Sequence, residues 1–244
     1  MGEFSGRRIM VTGAGSGLGL ATANLLSNEG AVVIGVDLHF SDELSDSVCT
    51  HTADVCDRAA LAEIAAGAAA RFGPIEGLAA FAGIEMPGRL DEISIDQWRR
   101  VFDINVIGSA NAVAALLPDL SNAGKCASVV LCSSQLSLSG GRDCVSYAAS
   151  KGAINAMTRS LAVDHAASGL RVNAVAPGAT QTPMMDRAFT GVSLEAQNAA
   201  RMRHALGRFG KASETAQAAA FLLSPRSSFI TGVVLPVDGG WTAA

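Results

Sequence analysis

The chain has 244 residues, 49% of them hydrophobic and 16% charged, which is the size and make-up of one large α/β domain with a substantial core. A formal net charge of −4 and a pI near 5.5 leave no basic face for nucleic acid or for an anionic membrane surface, so neither is an expected partner. No apolar stretch approaches the roughly 20 residues that span a bilayer and no export signal opens the chain, so a soluble, cytoplasmic protein is expected.

Apolar β-branched runs alternate with alanine-rich helical stretches, the pattern of βαβ units around a buried parallel sheet. The first strand is predicted at Arg8 to Thr12. A turn, Gly13-Ala14-Gly15-Ser16-Gly17-Leu18-Gly19, leads from it into a helix from Gly17 to Glu29 that stops at Gly30. Glycines here let backbone turn sharply and approach a phosphate, and amides at a helix amino terminus suit an anion. The spacing reads T-G-x-x-x-G-x-G rather than G-x-G-x-x-G, and a mere tight turn would also use glycine. The second strand, Ala31 to Val36, runs into Asp37. A carboxylate there accepts hydrogen bonds from adenosine ribose hydroxyls and repels a 2′-phosphate, which points to NAD over NADP.

A third strand is predicted at Val48 to Thr52, and Asp54-Val55 after it are placed to flank an adenine ring. The helix from Arg58 to Phe72 should stop at Gly73-Pro74, and a fourth strand follows at Gly77 to Phe81. The next helix, Ser94 to Leu117, carries Asn105 among Ile104, Val106 and Ile107. A buried amide needs partners, so Asn105 either braces helix to sheet or holds a water near Lys151. A fifth strand, Ala127 to Cys132, runs into Ser133-Ser134, where a serine either orients a substrate oxygen or only forms the turn.

The helix from Ser146 to His165 sets Tyr147 and Lys151 one turn apart on one face. A neighbouring ammonium favours phenolate, so the phenol pKa is expected to fall from about 10 towards a value useful for general acid/base work. A sixth strand at Arg171 to Ala176, a helix at Ser213 to Leu223 and a seventh strand at Gly232 to Val237 complete the alternation. Between them, Pro183 to Gly210 reads as an insertion, a mobile segment over a site. Cys49, Cys56, Cys126, Cys132 and Cys144 contain no CxxC pair and sit near no histidine cluster, so reduced buried thiols are expected, and neither disulfides nor a metal site.

From Arg7 to Gly240 these stretches resemble the short-chain dehydrogenase/reductase family, in its subclass of roughly 250 residues. The resemblance implies a single-domain, Rossmann-like, doubly wound parallel sheet of about seven strands over residues 1–244. It also implies NAD binding through Gly13, Ser16, Gly17, Leu18 and Gly19, through Asp37 and Leu38, through Asp54 and Val55, and through Ala82 and Gly83. Pro177, Gly178, Thr180 and Thr182 match the family's P-G-x-x-x-T turn beside the nicotinamide, and Lys151 would hold the nicotinamide ribose. Asn105, Ser134, Tyr147 and Lys151 take the family's catalytic places, Ser134 being preferred to Ser133 because the family sets its serine 13 residues before the tyrosine. Where the family commonly has N-N-A-G, this chain has Ala80-Phe81-Ala82-Gly83, which puts the bracing of the ribose pocket in doubt.

The implied reaction is hydride transfer between nicotinamide and a secondary alcohol or ketone, with Tyr147 exchanging the proton and no metal in the tetrad. Substrate contacts fall by resemblance on Glu85, Met86, Gln135, Cys144, Met184 and Met185, a set that suits a polyol, sugar, cyclic alcohol or steroid-like ketone. Family habit and a mean hydropathy of +0.32 suggest a homotetramer. The alternatives are a non-catalytic NAD-binding regulator, or an epimerase or dehydratase of the same fold, which would carry a further substrate domain.

Overall fold

A computed structural model describes residues 2–124 and 127–243; Cys126 lies outside the described residues. Among the described residues nine strands and eight α-helices follow in chain order: β1 Arg8–Thr12, α1 Gly17–Asn28, β2 Val32–Asp37, β3 Cys49–Thr52, α2 Arg58–Phe72, β4 Gly77–Ala80, α3 Ile95–Phe102, α4 Gly108–Asn122, β5 Ser128–Cys132, α5 Val145–Asp164, β6 Arg171–Pro177, β7 Thr180–Gln181, α6 Pro183–Ala188, α7 Leu194–Met202, β8 Gly210–Lys211, α8 Ala212–Leu223 and β9 Val234–Val237. Seven strands form one parallel sheet in the order β3-β2-β1-β4-β5-β6-β9, and β7 pairs with β8 separately.

Both faces of the sheet are covered. Alternate side chains point opposite ways along a strand, so Met10 joins Ile34, Leu78, Leu116 and Ile154 in one core. Its neighbours Ile9 and Val11 join Leu26, Val33 and Leu222 in the other. Helices α2, α4 and α5 pack on the first face, α1 and α8 on the second. This double cover is why β4, β5 and β6 are buried at every position and read as unbroken apolar runs. The chain order reverses between β1 and β4, so their carboxyl ends, Thr12 and Ala80, flank the crevice where ligands bind in such sheets.

The predicted helix at Ser94 to Leu117 is longer and less regular than expected. Ser94 and Gln97 form a capping box, and a π turn at Asp103–Ile107 separates α3 from α4. The helix then passes through Pro118 to Asn122. Proline forfeits one hydrogen bond there, while fully buried Leu116 and Leu120 hold the last turns against the core. Ile95–Asn122 is long and apolar enough to cross a membrane by length and composition alone, contrary to the expectation above. In the fold, α4 packs on α2, β4 and β5. The insertion after β7 is helical, with Thr182 and Ser193 capping α6 and α7 through Met185 N–H and Ala196 N–H.

The described cysteines are unpaired, and only Cys132 and Cys144 are buried; Cys49 and Cys56 are half-exposed, which corrects the reading of all five as buried. Arg171 on β6 is 7% exposed and donates to the carbonyls of Leu222 (2.9 Å), Ser224 (3.1 Å) and Ile230 (3.4 Å) and to Ser227 Oγ (2.7 Å). It thereby ties the end of α8 to the approach to β9. Replacing Arg171 by methionine strips a charged donor from each of those three carbonyls, leaving Leu222 and Ser224 to Ser227 and Ile230 to Asn173 Nδ2, and is expected to cost roughly 3 kcal/mol in denaturant unfolding. A loss below about 0.5 kcal/mol, the range of an uninvolved surface change, would refute the bracing role.

Candidate active site

The turn after β1 is built by close approach. A Cβ on Gly13, whose φ is +72°, would lie 2.6 Å from Ala82 N, and one on Gly15 would lie 1.8 Å from the His39 carbonyl oxygen. Gly15 therefore belongs with the glycines that shape the cleft, although the turn pattern alone did not single it out. The Gly15 N–H donates to Asp37 Oδ2 (2.8 Å) and the Leu38 N–H to Asp37 Oδ1 (2.7 Å), which fixes the carboxylate at the carboxyl end of β2. The Ser16 side chain makes no capping bond to α1, so the first-turn amides have no side-chain acceptor there, and Ser16, Gly17, Leu18 and Gly19 line the cleft.

Two further loops close that cleft. Asp54 accepts from Cys56 N–H (2.9 Å), and this bond holds its carboxyl below the usual carboxylate range. Asn111 Nδ2 donates to the Val55 carbonyl (3.0 Å), so α4 fixes the Asp54-Val55 loop. The loop after β4 lacks the family's asparagines yet is held at both ends. Phe81 N–H and Ala82 N–H donate to the Thr12 carbonyl (3.0 Å) and Oγ1 (3.4 Å). Asn105 binds Ile84 reciprocally, accepting its N–H (2.8 Å) and donating to its carbonyl (2.9 Å). Asn105 Nδ2 also donates to Ser150 Oγ on α5 (3.0 Å). Of the two readings of Asn105, its side chain thus makes the bracing bonds. The π turn is what presents them to both the loop and α5, a use such bulges often have.

Tyr147 and Lys151 share one face of α5, as their spacing requires, with Lys151 Nζ 5.5 Å from the phenol ring centroid. Nζ donates to the Cys132 carbonyl (2.8 Å), and burial draws the ammonium pKa below its ordinary range. The expected lowering of the Tyr147 pKa is not what the site produces. Desolvation of the hydroxyl end pushes it above the usual phenol range, reinforced by the charges of Cys132 and Glu85, while a hydrogen bond with the Ser134 side chain acts the other way. The ammonium, engaged with a carbonyl, does not offset that burial.

Ser133 and Ser134 are now distinguishable. Ser133 Oγ is turned to Asn155 Oδ1, to Ser137 Oγ (2.8 Å) and to the Lys151 carbonyl (3.3 Å), whereas Ser134 pairs with Tyr147.

Tyr147 is the only tyrosine in the chain, so its ionisation can be read without interference from another phenol. In the cofactor-free protein the tyrosinate absorbance should fail to rise at pH 10, where a free phenol titrates. The unfolded chain loses that proton near pH 10 while the folded one keeps it, so stability is unaffected below pH 10 and is lost as the pH rises above it. A midpoint at or below 10 would contradict the desolvated hydroxyl.

Two cavities meet at Tyr147. The first is lined by Gly13, Ser16, Gly17, Leu18, Gly19, Asp37, Leu38, Asp54, Val55, Ala82, Gly83, Tyr147, Lys151 and Thr182. The second holds Glu85, Ser134, Gln135, Pro177, Gly178, Thr180, Met184 and Met185, and shares Leu18, Cys132, Tyr147, Thr182 and Met184 with the first. Pro177, Gly178 and Thr180 therefore lie on the second side of the crevice. Cys144 lines neither: it is buried at the amino end of α5, bridged through its backbone to Gly88, so its side chain belongs to the wall. Met86 lines neither as well. Arg100, Ile104 and Arg187 line the first cavity and were not anticipated; the four-residue spacing of Arg100 and Ile104 was the available signal.

Residues 13–242 match the family model described as enoyl-(acyl carrier protein) reductase. The chain is 41% identical to cis-4-hydroxycyclohexanecarboxylate dehydrogenase of Sinomonas cyclohexanicum, over all of both chains. The chain belongs to the short-chain dehydrogenase/reductase family. It is also 34% identical to the family's meso-2,3-butanediol dehydrogenase of Serratia marcescens, over 99% of this chain and 97% of that one. The crystal structure of levodione reductase superposes with a TM-score of 0.93 at 32% identity, covering 99% of each chain. As a member of this family the protein is an oxidoreductase acting on CH–OH groups, interconverting secondary alcohol and ketone with a nicotinamide cofactor. The regulator and epimerase alternatives are not favoured by these relatives. Among the described residues no group of three or more His, Cys, Asp or Glu is placed to hold a metal ion.

Proposed function

We propose that the protein is an NAD-dependent dehydrogenase in which Tyr147 is the general acid/base. The observation that carries this reading is that Tyr147 lines both cavities, so one phenol faces a cleft suited to a dinucleotide and a second cavity suited to a substrate. The first cleft fits a dinucleotide on its own features: glycines whose Cβ atoms would collide with backbone, the uncapped first turn of α1 in its lining, and an acidic residue at the end of β2. Nicotinamide held there supplies a two-electron couple, taking hydride from a carbinol carbon or giving it to a carbonyl.

The chain's own residues do the rest. Ser134 hydrogen-bonds the Tyr147 side chain and shares the second cavity with it, so the pair can hold a substrate oxygen between two hydroxyls. Tyr147 takes the hydroxyl proton in oxidation and returns it in reduction. Lys151, fixed by the Cys132 carbonyl, sits beside the phenol and lines the dinucleotide cleft, which suits it to a ribose hydroxyl. A cationic nicotinamide held in that cleft would favour phenolate at Tyr147, against the desolvation that raises its pKa in the free protein.

NAD over NADP is supported by the Asp37 carboxylate, whose charge would lie against a 2′-phosphate. The test is initial rates with each cofactor and a cyclic alcohol. NAD is expected to exceed NADP by at least tenfold in kcat/KM; equal rates, or a preference for NADP, would remove that role from Asp37. A cytoplasmic homotetramer is the proposed state. Exposed apolar side chains such as Val163 (77%) and Ile107 (50%), on α5 and at the π turn, give subunit contacts something to cover. Sedimentation as a monomer at micromolar concentration would exclude it.

A further inference from the structure

The dinucleotide cleft and the second cavity share a wall, the short helix α6. Of its six residues only Asp186 lines neither space: Pro183, Met184 and Arg187 line the cleft, and Met184, Met185 and Ala188 the second cavity. Little in the chain itself holds this wall. None of its residues is buried, and six residues are far fewer than the roughly 12–15 that an isolated helix needs to persist in water. It is fastened at its start, where Thr182 Oγ1 accepts from Met185 N–H (3.4 Å) and Thr182 Cγ2 would lie 3.4 Å from a Cβ on Gly17. The start of α6 therefore rests against the uncapped first turn of α1, where an anion is best received.

Charge adds a second observation. Every charged side chain lining the cleft except Arg187 already has a partner or a charged neighbour. Asp37 accepts from Gly15 N–H and Leu38 N–H, Asp54 accepts from Cys56 N–H, and Lys151 donates to the Cys132 carbonyl. Arg100 helps to hold the Asp54 carboxyl ionised. The Arg187 guanidinium makes no hydrogen bond or close ion pair with the described residues and acts at a distance on Glu85, across the wall. It stands three and four residues after Met184 and Pro183, so it shares their cleft-facing side of α6, and helical side chains lean back towards the amino terminus, here towards the α1 turn. A guanidinium offers five donors in a fixed fork that matches phosphate oxygens, and this one can be recruited without first breaking a bond.

We propose that the Arg187 guanidinium binds the diphosphate of the dinucleotide beside the first turn of α1, and in doing so fastens α6 as the wall of the second cavity. This rests on the dinucleotide reading of the cleft and adds to it a cation from outside the glycine turn. The coenzyme then orders the surface that meets the alcohol.

The test is the binding of NADH and of ADP-ribose, which keeps the diphosphate and lacks the nicotinamide. Affinities are measured by NADH fluorescence titration and by displacement of NADH, in the native protein, Arg187→Gln and Arg71→Gln. Arg71, in the last turn of α2, lines neither cavity and controls for the loss of one positive charge. Arg187→Gln should weaken both ligands by the same factor, about tenfold, as expected when a hydrogen bond between charged groups is lost. Arg71→Gln should bind as the native protein does. Hydrogen exchange of the amides of residues 184–189 should slow when ADP-ribose binds the native protein, and slow less in Arg187→Gln at saturating ligand. An affinity of Arg187→Gln for ADP-ribose equal to that of Arg71→Gln, a loss confined to NADH, or exchange at 184–189 that ADP-ribose leaves unchanged in the native protein would overturn the proposal and leave the dinucleotide reading standing. A native protein that binds neither ligand would overturn both.

Discussion

Replacing Tyr147 by phenylalanine is expected to lower kcat for alcohol oxidation by roughly 10²–10⁴-fold, the span that a positioned general acid/base contributes. The ring remains to fill its place beside Lys151 and between the two cavities, so NADH affinity and thermal stability should hardly move. The substitution also removes the partner of the Ser134 side chain, so some loss in KM accompanies the loss in kcat. A variant that keeps more than a third of native kcat would show that the proton leaves by another route. In that event Tyr147 would have only a packing role.

The second large effect is expected at Gly15. With an alanine there, the Cβ would lie 1.8 Å from the His39 carbonyl oxygen and 3.0 Å from Asp37 Cγ, so the β1–α1 turn and the segment after β2 must part. The parting breaks the Gly15 N–H to Asp37 bond that orients the carboxylate. Displacements of about 1 Å in a binding site can cost 100-fold, and a loss of that order is expected in NADH affinity, measured by fluorescence titration. The matched control is Gly67→Ala, in the middle of α2 with nothing near its Cβ position. That change should leave NADH binding alone and stabilise the protein by about 0.5–1 kcal/mol, because alanine loses less entropy on entering a helix. If Gly15→Ala binds as tightly as Gly67→Ala, the tight approach has no bearing on the cofactor.

The parts of this fold that could be read from residues alone are those with local causes. The sheet was legible because strands buried on both faces leave unbroken apolar runs such as SVVLC. The dinucleotide turn was legible because only glycine tolerates both its φ and its contacts, and the Tyr147–Lys151 pair because an α-helix sets i and i+4 on one face. The rest depends on packing that no local pattern reports. The π turn adds its extra residue in an apolar run that suits either helix type, so only the bonds of Asn105 reveal it. Proline was a reasonable stop at Leu117, yet buried Leu116 and Leu120 outweigh one missing hydrogen bond. The direction of the Tyr147 shift was misjudged because spacing reports the nearness of a charge but not the depth of burial. Cys144 was misplaced for a related reason, since its helix face follows from the bridge to Gly88.

The two cavities draw on different lengths of chain. The glycine turn, Asp37 and the Asp54-Val55 loop of the dinucleotide cleft come from residues 13–55, before β4, and most of the second cavity comes from residues 133–189, after it, with Tyr147 and Thr182 among the few side chains serving both. Mutations that retune cofactor preference and mutations that retune substrate choice therefore fall in separate, consecutive stretches of the gene. Recombination between relatives with a crossover near β4 would exchange one property while leaving the other in its parental form. A scaffold divided in this way can explore new alcohols without having to relearn its coenzyme, and the traits can be inherited as separate modules.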